Sequence, residues 1–203
     1  MHQYKGKLII HTGSMFSGKT SSLKKDLNRF KIAGYKVGAY KPLVDTRGGD
    51  RITVHNEEGL AATCVKKIDQ IIKDVEEKNL QVIGIDEVQF LSGQGEEVRQ
   101  GILKILDRGL TVVLAGLDMD YNAEAFEIIK ELMPYADYVN KHHAVCTMCG
   151  VDAWVSHRKV AGGDRVLIGA ESEYEPLCRS CYKKVREEEE REVNKNQMAL
   201  EIK

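Results

Sequence analysis

Residues Gly13, Ser14, Met15, Phe16, Ser17, Gly18, Lys19 and Thr20 fill every fixed position of the phosphate-binding pattern G-x-x-x-x-G-K-[ST]. Such a loop works only between a strand and a helix, where backbone N–H groups converge on an anion at a helix N-terminus. Both neighbours are present. Leu8-Ile9-Ile10 is a short apolar run, and Ser21–Ala33 is helix-like and closed by Gly34. The glycines let the chain turn back on itself, Lys19 brings a compact positive charge for the β- and γ-phosphates, and Thr20 offers a hydroxyl to Mg²⁺. The loop predicts a nucleoside triphosphate as ligand and an α/β fold to carry it.

The rest of the chain keeps that rhythm. Apolar β-rich runs recur at Val37–Tyr40, Val82–Ile85, Thr111–Ala115 and Tyr138–Val139, with helical periodicity over Val65–Lys78, Glu96–Arg108 and Ala123–Leu132 between them. Strand and helix in alternation predict a mostly parallel, RecA-like P-loop sheet with helices on both faces, binding its ligands at the carboxyl ends of the strands. Lys41–Thr63 carries Pro, Gly-Gly and scattered charges and reads as a mobile loop near the nucleotide. From about Lys141 the alternation stops. The expected division is a nucleotide-binding α/β domain over 1–140, a cysteine-bearing domain over 141–185 and a charged helical tail over 186–203.

Two further constellations carry chemistry. Val82–Ile85 ends in Asp86-Glu87, the place where P-loop proteins put a carboxylate that acts on Mg²⁺ or its water shell. Asp86 is the metal-side acid, and Glu87, facing the other way, is placed to act as general base toward a hydroxyl or water. Gln89 and Phe90 follow into the same pocket. Later come two Cys-x-x-Cys pairs, Cys146/Cys149 and Cys178/Cys181. Four thiolates suit a closed, tetrahedral, structural Zn²⁺ site with no position left for catalytic water. The segment between the pairs, with Gly162-Gly163-Asp164 beside Val166–Ile168, reads as a hairpin-like lid that the metal anchors at both ends. Cys64 stands apart as a small, buried or half-buried apolar residue, and His142 and His143 read as surface or hinge residues. Asn140-Lys141-His142-His143 lacks the acid that guanine recognition by an Asn-Lys-x-Asp motif needs.

With 30 Lys and Arg against 31 Asp and Glu the net charge is −1, which argues against a protein whose main ligand is nucleic acid. No apolar run approaches a membrane span and the N-terminus has no signal-peptide pattern, so a cytoplasmic protein is expected.

P-loop, strand-end Asp-Glu and late four-cysteine loop, in this order and over Lys7 to Tyr182, resemble the zinc-containing (type II) thymidine kinases. Asp45-Thr46-Arg47, Ile85–Phe90, Leu117-Asp118 and Val166–Tyr174 match as well. The resemblance implies transfer of the γ-phosphate of ATP to the 5′-hydroxyl of thymidine. It makes Glu87 the base, with Lys19 and Arg47 steadying the transferring phosphoryl group, and puts Asp45, Asp86 and Gln89 with the P-loop on the ATP–Mg²⁺ side. Met15, Phe90, Leu117, Tyr121 and Tyr174 would line the nucleoside pocket. Val166, Leu167, Ile168, Gly169 and Ala170 would close over the base, largely through main-chain hydrogen bonds. Tyr121 stands where many relatives carry Phe, and Val88 where many carry a small residue. A homotetramer and feedback by dTTP follow from the same likeness. The rival reading is a P-loop ATPase with a zinc ribbon acting on nucleic acid.

Overall fold

The computed structural model describes residues 5–45, 49, 51–52, 59–160 and 173–201. Strand β1 (Leu8–Gly13) is buried along its whole length and feeds the P-loop into helix α1 (Lys19–Ile32). Strand β2 (Val37–Pro42) follows, then a two-residue pair, β3 (Arg51–Ile52) with β4 (Leu60–Ala61), and a short strand β5 (Thr63–Val65). Helix α2 (Ile68–Lys78), strand β6 (Val82–Ile85), helix α3 (Gly95–Asp107) and strand β7 (Thr111–Gly116) continue the alternation. Helix α4 (Glu127–Leu132) and strand β8 (Tyr138–His142) complete the body. The six strands lie in the order β5-β2-β6-β7-β1-β8, and every neighbouring pair is parallel.

The central strands β1, β6 and β7 are buried on both faces, as a parallel sheet under helices requires, while the edge strands β5 and β8 are more exposed. On one face Leu23, Leu27 and Phe30, spaced along one side of α1, pack on Ile9, Val82, Val113 and Ala115. On the other, Ile71 and Val75 of α2, Val98, Ile102 and Ile105 of α3, and Ile129 of α4 cover Leu8, Ile10, Ile83, Val112 and Leu114. Ile9 and Val113 face one layer while Leu8, Ile10, Val112 and Leu114 face the other, the period-2 alternation of a strand. Gly101 of α3 lies against Ile68, where a Cβ would come within 2.5 Å of Ile68 Cγ1.

Helix boundaries depart from the periodicity for local reasons. α1 begins at Lys19, because left-handed Gly18 (φ 84°) turns the loop directly into the helix. Val65 belongs to edge strand β5, so α2 starts three residues later than expected. Ala123 has a positive φ of 63° and Ala125 bridges Met119, which delays α4 to Glu127. Within the stretch expected to be a mobile loop, β2 runs on to Pro42, and β3, β4 and the first residue of β5 are all ordered.

β8 pairs with β1 through His142 and then leads into a small lobe. There β9 (Val155–Arg158) and β10 (Tyr174–Leu177) form an antiparallel pair, followed by helix α5 (Arg179–Glu201). The lobe has its own apolar cluster of Ala144, Ala153, Val155, Leu177, Tyr182 and three of the cysteines. β8 thus carries the sheet past residue 140, and α5 runs unbroken through residue 186.

Candidate active site

The carboxyl edge of the sheet gathers the ends of β1, β6 and β7. At the end of β1, Gly13 (φ 132°) has its back to the His142 carbonyl, so that any Cβ there would collide with β8. The loop that follows is tied by its own groups: Ser17 Oγ donates to the Ser14 carbonyl at 2.7 Å and Lys19 Nζ donates to the same oxygen at 2.6 Å. Ser14 Oγ is buried without a partner. A buried ammonium, an orphaned hydroxyl and a helix N-terminus converge here, and such donors fit anionic oxygens.

Asp86, just past the end of β6, accepts from Thr20 Oγ1 at 3.2 Å and from the Glu87 N–H at 3.1 Å. Burial pushes its carboxyl up to about 7, the neighbouring Glu87 charge adds to this, and the Thr20 hydroxyl and Lys19 ammonium pull it partly back. A divalent cation would replace the proton that this buried acid otherwise favours. Thr20 and Asp86 are the residues that would hold Mg²⁺. Glu87 sits in the left-handed region (φ 49°), so the chain breaks direction at once into the 3₁₀ turn Val88–Phe90. Its carboxylate accepts from Gln89 Nε2 at 2.6 Å. Asp45 is buried, with Lys41 Nζ 3.5 Å away. Arg47 lies outside the described residues.

The expected nucleoside wall is built from both parts of the molecule. Met15, half-buried, donates its backbone N–H to Ser156 Oγ of β9 at 2.7 Å. The Leu117 N–H donates to Gln89 Oε1 at 3.1 Å. The guanidinium of Arg158 lies 3.8 Å over the Tyr121 ring, and the Tyr121 carbonyl accepts from Tyr182 Oη at 2.9 Å. Tyr174 is buried opposite Arg158 across the β9–β10 pair. Phe90 meets Phe126 edge-on at 5.9 Å. Val166, Leu167, Ile168, Gly169 and Ala170 fall outside the described residues. Their stem, β9 and β10, is described.

Ser156 and Arg158 carry no motif, and reasoning from the sequence passes over them. Val155-Ser-His-Arg158 mixes polar with apolar residues yet is buried throughout: Ser156 Oγ accepts from Met15 and the Arg158 guanidinium lies over Tyr121, although its Nε has no hydrogen-bond partner. The central one, His157, lies between Glu175 Oε1 (3.2 Å) and Glu189 Oε1 (3.0 Å). His142, read from the sequence as a surface or hinge residue, is half-buried at the end of β8 and tied into the sheet. Its Nε2 is 3.0 Å from His11 Nδ1, and His11 Nε2 is 3.0 Å from Asp26 Oδ2, a chain from β8 through β1 to α1. Burial, then His11 and Lys19, lower the His142 pKa. His143 is exposed, as expected.

In the lobe the sulfurs of Cys146, Cys149, Cys178 and Cys181 all lie within 4.8 Å of one another. A tetrahedral ion with Zn–S bonds near 2.3 Å sets sulfur–sulfur edges of about 3.8 Å, which this cluster can meet with little movement. At Cys146 burial opposes ionisation, but the backbone N–H groups of Cys178, Met148 and Cys149 outweigh it and bring the thiol down to about 6. The N–H of Cys181 likewise lowers Cys178. Cys181 moves the other way, pushed up to about 12 by hydrogen bonds with Cys178 and Cys149, and Cys149 is raised too, so without a metal the cluster shares protons that a bound cation would displace.

A P-loop on a parallel sheet, with a carboxylate pair at a strand end beside it, defines a P-loop phosphotransferase site. The profile of the thymidine kinase family matches residues 6–182. Thymidine kinase of Bacteroides thetaiotaomicron is 38% identical over 191 residues, 93% of this chain and 93% of that protein. Thymidine kinase of Porphyromonas gingivalis is 41% identical over 181 residues, 89% of this chain and 86% of that one. The chain belongs to the thymidine kinase family. The flagellar accessory protein FlaH of Methanocaldococcus jannaschii shares the fold alone, with a TM-score of 0.51 at 13% identity over 73% of this chain and 75% of that one.

Proposed function

We propose that this chain transfers the γ-phosphate of ATP to the 5′-hydroxyl of thymidine, giving dTMP and ADP. The observation that carries the reading is the meeting of Lys19 and Thr20 with Asp86 and Glu87 at one sheet edge, linked by the Thr20–Asp86 hydrogen bond. Phosphoryl transfer asks for positioning, charge neutralisation and a placed base. The P-loop N–H groups and Lys19 cradle the triphosphate, and Arg47 adds charge at the transferring group. Glu87 accepts the proton of the 5′-hydroxyl as the oxygen attacks phosphorus. When bound at Thr20 and Asp86, Mg²⁺ neutralises charge on the phosphate oxygens. Met15, Phe90, Leu117, Tyr121 and Tyr174 shape the nucleoside pocket, with Val166–Ala170 closing over it. Zn²⁺ on the four cysteines holds the stem of that closing segment. Assembly as a homotetramer, feedback by dTTP and a cytoplasmic setting belong to the same reading. So does the division into a nucleotide-binding domain, a zinc lobe and a tail.

A phosphate-transfer screen over the nucleosides with γ-labelled ATP and Mg²⁺ tests this. Label is expected on thymidine, and Glu87→Gln should lower turnover by about two to four orders of magnitude while both substrates still bind. ATP hydrolysis with no labelled nucleoside would overturn the reading.

A further inference from the structure

The geometry points to Gln89 as the positioning residue of the general base, its amide aiming Glu87 rather than gripping the triphosphate. This rests on the proposed role of Glu87. Gln89 is 7% exposed and used from two sides: its Oε1 accepts the Leu117 N–H at 3.1 Å and its Nε2 donates to Glu87 Oε2 at 2.6 Å. The orientation of the amide is fixed by chemistry. A backbone N–H can only donate, so the oxygen must face Leu117, and the nitrogen is left to face the carboxylate. Donation to a charged acceptor over so short a distance is the strong kind of hydrogen bond.

Three strands hold this arrangement. The turn that carries Gln89 is pinned by Val88, which is fully buried in the core under α3 and α4. Leu117 follows β7, whose Gly116 carbonyl accepts from Thr12 Oγ1 of β1 at 3.0 Å. Gly116 leaves the space the amide fills: a Cβ there would stand 2.5 Å from Gln89 Oε1. The ends of β1, β7 and β6 are thus joined through one side chain to one carboxylate oxygen. Loss of that bond would release one carboxylate oxygen of Glu87, and a base misplaced by about 1 Å can cost on the order of a hundredfold in rate. Because the other end of the amide holds the backbone at Leu117, on the expected nucleoside wall, acceptor pocket and base are set by the same group.

Steady-state kinetics of four variants test the assignment. Gln89→Met keeps the volume and loses both hydrogen bonds. Gln89→Glu keeps an acceptor for the Leu117 N–H and replaces the donor to Glu87 with a repelling carboxylate, so it reports even if the first variant does not fold. Each should lower kcat by about ten- to a hundredfold while KM for ATP stays within about twofold; KM for thymidine should hold in Gln89→Glu, which keeps the acceptor for Leu117, and rise in Gln89→Met, which does not. Added to Glu87→Gln, Gln89→Met should lower the residual rate by less than about twofold, since no base is left to aim. A raised KM for ATP at unchanged kcat, wild-type kinetics, or a full further loss in the Glu87→Gln background would each overturn the inference. Near-normal turnover of the single variant Glu87→Gln would instead overturn the base itself, and is read before Gln89 is touched.

Discussion

The body and the lobe reach rigidity by different routes. The body buries apolar strands between two layers of helix, so its site stands on a hydrophobic core that exists without any ligand. The lobe has two four-residue strands and a cluster in which three of the eight buried residues are cysteines. So small a core offers little constraint of its own, and a metal held by the four sulfurs, as proposed, would supply the rest. Phosphate chemistry sits on the self-sufficient part. The expected nucleoside wall is shared with the dependent part, through the Ser156–Met15, Arg158–Tyr121 and Tyr182–Tyr121 contacts.

The sharpest way to break this contrast is to strip the metal. Metal analysis should give one Zn²⁺ per chain. Chelation, or Cys178→Ser, should abolish thymidine binding while nucleotide binding to the body partly survives, as calorimetric titrations of each ligand would show. Structural zinc contributes on the order of 10 kcal/mol to small domains, so the lobe should lose its fold outright. Equal loss of both affinities would mean that the two regions are one unit.

Lys19→Ala probes the other side. It should lower phosphate transfer by about a thousandfold and weaken triphosphate binding, with the melting of the lobe unchanged. A smaller effect separates the two cores. Leu114→Ala, in the body, should lower global stability by about 2–5 kcal/mol in denaturant melts. Leu177→Ala, in the lobe, should instead raise amide exchange locally over 144–182 and leave the sheet protected.

The least effect expected comes from acid. The Asp26 carboxyl is held below its ordinary value chiefly by the hydrogen bond from His11, against the opposing effect of burial. A depressed folded-state value means stability that is present above about pH 4 and is lost as pH falls through the lowered value. Asp26→Asn should flatten that part of the melting-temperature profile of the body and leave the lobe untouched.

What could be read from the chain before folding was whatever lies contiguous in it. The P-loop, the acidic pair after Val82–Ile85 and the two cysteine knuckles are local patterns whose chemistry demands their spacing. All five apolar runs became strands of the sheet. What stayed hidden depends on partners far away. β5 is only three residues and pairs with β2 across an irregular stretch, so no periodicity marks it. β9 is polar by composition and buried by partnership. His142 looks like a hinge until β8 is laid beside β1, where its ring meets His11. The order of strands, which puts β7 between the P-loop strand and the Asp86 strand, is written in no single segment.

Lys19, resting on the Ser14 carbonyl, has a consequence for lifetime rather than rate. Its ammonium gave up most of its water when the chain folded, and it stands buried beside the Ser14 carbonyl where the phosphate-binding loop turns into α1. A polyphosphate bound at this loop adds charge-assisted hydrogen bonds that only the folded chain can make. A ligand that binds only the folded state stabilises it in proportion to RT ln(1 + [L]/Kd), and with it the resistance of the chain to proteolysis. Cells rich in nucleotide would keep this protein longer than starved ones, with no regulator involved beyond the loop itself.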